Sequence, residues 1–124
     1  MTPLTVLVVD DSLIMQKKIS GILTELGHRV VGTAASGKEA VELYQERLPD
    51  LVSMDITMPG MDGIETTKMI LEAFPSAVII MVTSHGQESM VLAALNAGAK
   101  GYVLKPIVKD RLAHVLINIQ YEYF

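Results

Sequence analysis

The chain contains no cysteine and no tryptophan. Without thiols, disulfides, zinc–thiolate sites and cysteine nucleophiles are excluded, which suits a reducing cytoplasm. Only 5% of the 124 residues are aromatic although half are hydrophobic, so Leu, Ile, Val, Met and Ala must build the core. Positive charge is sparse as well: the net charge is −4 and no Lys/Arg run exceeds two residues. The basic face that nucleic acid requires is therefore missing, and no direct nucleic-acid partner is expected. Long apolar runs are absent too. The longest, Ala77 to Val82, falls far short of the about 20 residues needed to cross a bilayer. Met1-Thr2-Pro3-Leu4 lacks the basic and apolar segments of a signal peptide. One cytoplasmic domain over residues 1–124, with no membrane contact, is the expectation. Its size allows roughly 65–70% of the unfolded surface to be buried, enough to fold without staples.

Two kinds of segment alternate. Leu4–Val9, Arg29–Gly32, Leu51–Met54, Ala77–Val82 and Gly101–Leu104 are short, apolar and rich in β-branched residues, as strands covered on both faces are. Between them lie helical patterns. Met15, Ile19, Ile22, Leu23 and Leu26 form one apolar stripe, Leu112, Val115, Leu116 and Ile119 another, and Val91, Ala94 and Leu95 a weaker, small-residue one. Ser36-Gly37-Lys38-Glu39 reads as a capping box for a helix through about Arg47, and Asp62-Gly63-Ile64-Glu65 for one through Phe74. Gly27, Pro49, Pro75 and Gly98 fall where helices should stop. The βαβαβαβαβα order predicts an α/β fold: a parallel sheet with helices on both faces and right-handed crossovers.

In such a sheet, function sits beyond the carboxyl ends of the strands. Asp10 and Asp11 follow the first strand, Asp55 the third, Thr83 and Ser84 the fourth, and Lys105-Pro106 the fifth. Three clustered carboxylates repel one another unless a cation offsets them. An oxygen-only set with room for water suits Mg²⁺ better than Ca²⁺. A carboxylate beside Mg²⁺ and a lysine is equipped to attack phosphorus and to hold a phosphoryl group. Each residue also has a plainer reading. Asp11 or Ser12 can cap the following helix, Lys105 can be a solvated lysine, Thr83 a turn residue, and Tyr102 a half-buried strand residue. The argument rests on their conjunction, each at the end of its own strand.

These residues resemble the response-regulator receiver family of two-component signalling. Val8-Val9-Asp10-Asp11-Ser12 matches its opening acidic pair, and Met54-Asp55-Ile56-Thr57-Met58-Pro59-Gly60-Met61-Asp62-Gly63 its phosphorylation motif. Val82-Thr83-Ser84, Ala97-Gly98-Ala99-Lys100-Gly101-Tyr102 and Leu104-Lys105-Pro106 match its later motifs. The likeness runs from about residue 5 to residue 119. It implies a flavodoxin-like (βα)5 three-layer sandwich whose five-stranded parallel sheet has the order 2-1-3-4-5. It also implies Asp55 as phospho-acceptor and Asp11 and Asp55 as direct Mg²⁺ ligands. Asp10 would act largely through water, and the Thr57 backbone carbonyl would complete the protein ligands. Lys105 would touch the phosphoryl group, and the bond before Pro106 would be cis. Thr83 and Tyr102 would form the switch, changing the surface of the fourth helix, fifth strand and fifth helix. The phosphoryl donor would be a sensor histidine kinase. The domain would catalyse only its own phosphorylation and dephosphorylation, as a monomer or a phosphorylation-dependent dimer.

Some positions depart from the common pattern. Ile107 stands where an aromatic often follows Lys-Pro. Thr57 and His85 flank the phosphoryl position and vary within the family; they are candidates for setting acyl-phosphate lifetime by controlling the approach of water, with a solvated loop histidine as the alternative for His85. His28 and His114 read as structural. The methionines read as core filler, with Met58 and Met61 in the Asp55 loop able to meet a kinase.

Past the last helix, Gln120-Tyr121-Glu122-Tyr123-Phe124 contains no output domain. A complete chain would be a stand-alone receiver that binds another protein. The segment Ser84–Val91 and Tyr102 resemble the chemotaxis-type members. The close alternative is a receiver cut from a longer, for example transcriptional, regulator, with Tyr121, Tyr123 and Phe124 at the cut edge. A haloacid-dehalogenase-type phosphatase needs a second Asp where Thr57 stands. A flavodoxin needs a hydroxyl-rich phosphate loop where Asp10 and Asp11 stand, and two acids there would repel a phosphate.

Overall fold

A computed structural model describes residues 2–124; Met1, the first residue of the expected span, lies outside the described residues. The five strands are β1 (Thr5–Val9), β2 (Arg29–Ala34), β3 (Leu51–Met54), β4 (Ile79–Thr83) and β5 (Gly101–Leu104). The five helices are α1 (Leu13–Glu25), α2 (Gly37–Arg47), α3 (Gly63–Ala73), α4 (Glu88–Asn96) and α5 (Lys109–Tyr123). All pairings are parallel and the order is β2-β1-β3-β4-β5, as the family likeness implies.

The pleat sorts the core into two layers. Leu7, Val9, Val52, Met54, Ile79 and Met81 face one way, against Ala40 and Tyr44 of α2, Ile70 of α3 and Ala94 of α4. Val6, Val8, Leu51, Ile80, Val82 and Val103 face the other, against Ile19 and Leu23 of α1 and Leu112, Leu116 and Ile119 of α5. Strands buried on both faces cannot alternate polar with apolar residues, which is why they read as continuous apolar runs. The weak stripe of α4 has its counterpart in packing: Ala94 is its only buried residue, and Leu92 and Leu95 are exposed.

Besides one-residue differences at the start of β1 and the end of α3, the sequence boundaries shift in three places. Strand β2 runs two residues further, to Ala34, because Val9 of β1 pairs with it. Strand β4 begins at Ile79, and Thr83 is its last residue rather than the first beyond it. Helix α5 continues through Tyr123, so the residues expected to follow the last helix belong to it. Tyr121 and Phe124 are exposed there, and the Lys100 ammonium lies 5.5 Å from the Tyr123 ring centroid. No helix among the described residues is long and apolar enough to cross a membrane.

At the amino ends of the strands, side chains hold the N-terminal segment. The Leu4 N–H donates to His28 Nδ1 at 3.0 Å, Thr5 N–H to Asp50 Oδ2 at 2.9 Å, and Gln120 Nε2 to the Thr2 carbonyl at 2.6 Å. The structural reading of His28 fits this bond; His114 is exposed on α5. Because Nδ1 accepts, His28 must be neutral in the fold, and burial lowers its pKa from 6.5. A lowered folded pKa favours the folded state above the unfolded pKa and loses that advantage as pH falls below it. The His28→Ala protein should therefore lose about 1 kcal/mol at pH 7.5. That gap should narrow below pH 6.5; urea unfolding at several pH values measures it.

Candidate functional site

The sheet ladder runs one rung past the carboxyl end of each site-bearing strand. Asp10 N–H donates to the Ala34 carbonyl and Asp55 N–H to the Val9 carbonyl, both at 2.9 Å, and Lys105 N–H donates to the Thr83 carbonyl at 2.8 Å. These bonds fix the backbones of three candidate site residues in register with the sheet. Asp10 and Thr83 are fully buried and Asp55 is 5% exposed, whereas Asp11 is exposed. Carboxylate oxygens of Asp10, Asp11 and Asp55 lie within 4.8 Å of one another.

The alternative capping role falls to Ser12. Its Oγ accepts from Met15 N–H at 3.3 Å, and its own N–H donates to Asp10 Oδ1 at 2.9 Å. Asp11 is thereby free of the cap. Sequence reasoning passed over Gln16, buried on α1, whose Nε2 donates to the Asp10 carbonyl at 2.7 Å. A glutamine on the buried side of an amphipathic helix, one turn from an acidic pair, is the signal that could have found it.

Gly63 is the second residue passed over except as part of a capping motif. Its N–H donates to the Ile56 carbonyl at 2.7 Å. A Cβ there would lie 2.8 Å from both the Asp55 carbonyl carbon and Ile56 Cα. Only glycine lets α3 start against the backbone that carries Asp55. Asp62 Oδ1 caps that helix, accepting from Glu65 N–H at 2.8 Å, as the capping motif predicts.

Lys105 Nζ lies 2.8 Å from Asp10 Oδ2 and 3.5 Å from Asp55 Oδ1. One ammonium against three carboxylates leaves the pocket net negative. Burial pushes the Asp55 carboxyl up to about 6; Lys105 opposes that shift, and Asp10 and then Asp11 add to it. A carboxyl held so far above its usual range calls for more positive charge. Three carboxylates with no nitrogen or sulfur ligand, one of them open to water, form a donor set that fits Mg²⁺.

Above the pocket, Thr57 Oγ1 and His85 Nε2 are hydrogen-bonded. His85 N–H donates to Thr83 Oγ1 at 3.3 Å, and the Tyr102 hydroxyl donates to the His85 carbonyl at 2.5 Å. Tyr102 is partly buried against the α2–α3–α4 layer, and burial raises its pKa. The Lys105-Pro106 bond is cis, and Ile107 is buried in the α1–α5 layer beneath it. Asp10, Asp11, Asp55, Thr57, Thr83, His85 and Lys105 thus fall at the carboxyl end of the sheet, and Tyr102, within β5, reaches it through its hydroxyl.

Comparison with known proteins gives a consistent result. The family model for the response regulator receiver domain matches residues 6–117. The chemotaxis protein CheY of Thermotoga maritima is 45% identical over 114 residues, 92% of this chain and 95% of that protein. A chain of the CheX–CheY–BeF3–Mg²⁺ complex from Borrelia burgdorferi superposes with a TM-score of 0.92 at 37% identity, covering 95% of this chain and 90% of that one. A transcriptional regulatory protein of Bacillus subtilis, YhcZ, is 40% identical over 115 residues, 88% of this chain but 54% of that longer protein.

Proposed function

The chain belongs to the response regulator receiver domain family, and we propose that Asp55 is its phospho-acceptor, taking the phosphoryl group from a phosphohistidine on a sensor kinase. The observation that carries this is the buried Asp55 carboxylate, set within 4.8 Å of Asp10 and Asp11 and 3.5 Å from the Lys105 ammonium.

In the transfer, an Asp55 carboxylate oxygen attacks phosphorus, the P–N bond to the kinase imidazole breaks, and the imidazole leaves with a proton taken from solvent. The product is an acyl phosphate. Asp11, Asp55 and the Thr57 backbone carbonyl would hold Mg²⁺ directly, and Asp10 through water. Bound there, the ion supplies charge that offsets the phosphoryl oxygens. Lys105 holds Asp10 before transfer and turns its ammonium to a phosphoryl oxygen afterwards. In hydrolysis, water attacks phosphorus, the P–O bond to Asp55 breaks and inorganic phosphate leaves. No metabolite is turned over.

The Thr83 hydroxyl and Tyr102 carry the change outward, to the face of α4, β5 and α5, where a protein partner binds. Leu92, Leu95 and Leu104 are exposed on that face, and the likeness to chemotaxis proteins supports an output of that kind. The match to YhcZ supports a second reading, a receiver joined to a transcriptional output. The proposal includes one domain over residues 1–124 in the cytoplasm, monomeric or dimerising on phosphorylation. A haloacid-dehalogenase-type phosphatase lacks support, because Thr57 has no carboxyl to act as its acid.

Intact mass after incubation with acetyl phosphate tests the reading. A gain of one phosphoryl group that requires Mg²⁺ and is removed by hydroxylamine is expected; no gain with or without Mg²⁺ overturns it. The Thr57–His85 bond shields the acyl phosphate from water. In the His85→Ala protein the loss of about 1 kcal/mol of hydrogen bonding should speed autodephosphorylation about fivefold. An unchanged rate by single-turnover phosphate release would return His85 to the role of a solvated loop residue.

A further inference from the structure

Residues 84–87 join β4 to α4 without regular structure, and Gln87, the α4 N-cap, makes no side-chain capping bond. What holds this loop converges on one residue. The His85 ring is bonded to the Thr57 hydroxyl, its N–H donates to Thr83 Oγ1 at 3.3 Å, and its carbonyl accepts from Tyr102 at 2.5 Å. The ring thus reaches the loop that carries Asp55, while the backbone reaches both switch residues.

From this convergence we infer that His85 is a positioning residue through which the Thr57 side chain sets the placement of Tyr102. The inference rests on the reading of Tyr102 as part of the output switch. A loop without regular structure shifts when the one bond made by its own side chain, from the His85 ring to Thr57, is cut, and an acceptor that moves takes its donor along. Tyr102 spans from β5 to that acceptor, so its ring leaves the partly buried position when the acceptor shifts. The state of the Asp55 loop therefore reaches the output face by a second route, which enters through the His85 ring rather than through the Thr83 hydroxyl. Thr57 and His85 act as a pair: a residue at either position that cannot hydrogen-bond loosens Tyr102, and a pair that can bond holds it in.

Fluorine NMR of protein labelled with 3-fluorotyrosine tests this in the metal-free, unphosphorylated state. The chain has four tyrosines, and loss of one resonance in Tyr102→Phe assigns the reporter. Thr57→Val, which removes a hydroxyl on another loop, should shift the Tyr102 resonance in the same direction as His85→Ala. The double variant should shift it no further than His85→Ala alone. His85→Gln, whose amide can still bond the Thr57 hydroxyl, should restore the wild-type position. The Tyr44 resonance, from the buried face of α2, should stay fixed and shows that the fold is intact. A Tyr102 resonance unmoved by Thr57→Val, or single shifts that add in the double variant, overturns the inference. Phosphoryl uptake by the same wild-type protein separates the two readings. Uptake without the Tyr102 shift leaves Asp55 as acceptor and removes the relay; the shift without uptake does the reverse.

Discussion

Asp55→Asn should abolish phosphoryl uptake and, in metal-free buffer at pH 7.5, raise the unfolding midpoint by about 5–10 °C. The first half follows from chemistry, since an amide offers no anionic oxygen to phosphorus. The second follows from the price of holding Asp55 ionised in the fold. Burial first, opposed by Lys105 and reinforced by Asp10 and Asp11, puts its carboxyl at about 6, against 3.8 unfolded. With one unit equivalent to about 1.4 kcal/mol, ionised Asp55 destabilises the fold by about 1–3 kcal/mol, the lower end allowing for water in the pocket. The folded pKa is raised, so the folded state binds the proton more tightly. Its advantage is complete below pH 3.8, falls as pH rises to about 6, and is gone above that. The gap between wild type and Asp55→Asn should therefore open between pH 4 and pH 6 and stay level beyond. Mg²⁺ should close it by stabilising the wild type, by about 1.4 kcal/mol at ten times its Kd. Lys105 also contacts Asp10 at 2.8 Å, a partner that the substitution leaves in place, so the effect belongs to position 55. Scanning calorimetry in chelator and in Mg²⁺ measures it; a less stable Asp55→Asn protein would show that the carboxylate is well solvated.

Gly63→Ala should have the opposite effect, lowering stability by about 3 kcal/mol or more. The added methyl meets backbone, 2.8 Å from the Asp55 carbonyl carbon and from Ile56 Cα, and no side-chain rotation relieves that. Helix α3 or the Asp55 loop must move, so phosphoryl uptake should slow along with the fall in midpoint. Gly60 separates contact from backbone freedom. It sits at φ 76° with open space around a built Cβ, so Gly60→Ala carries only the left-handed penalty of about 1–2 kcal/mol. Urea midpoints and uptake rates of the two variants compare the effects directly; equal losses would mean that α3 yields freely.

Much of this was legible because each feature had a local cause. Double-sided burial wrote the strands as apolar runs, and Ser36 and Asp62 wrote helix starts three residues ahead of Glu39 and Glu65, where their side chains accept. The acids and Lys105 were legible because strand ends are where a parallel sheet places function. Other features depend on partners distant in sequence. The end of β2 at Ala34 is set by Val9, and the buried position of Gln16 by the Asp10 carbonyl. Asp11 and Ser12 were both capping candidates until the Ser12 side chain was found to take the cap. The hub at His85 is invisible in sequence, because residues 57, 85 and 102 meet only when three strands are in register. Helix α4 was faint because it buries almost nothing but Ala94.

The order of the sheet has a consequence for where the molecule opens. Strands β1 and β3 are each flanked on both sides, so parting them from their neighbours breaks two ladders at once, whereas β5 is a four-residue edge held by one. Free energies of local opening should therefore fall from the middle of the sheet to that margin, and amide exchange should be slowest in β1 and β3 and fastest in β5. Asp55 sits on the slow side of that gradient and Tyr102 on the fast side. With the roles proposed for Asp55 and Tyr102, phosphoryl transfer is anchored where two ladders hold the backbone, and the response is delivered where only one row of hydrogen bonds resists it.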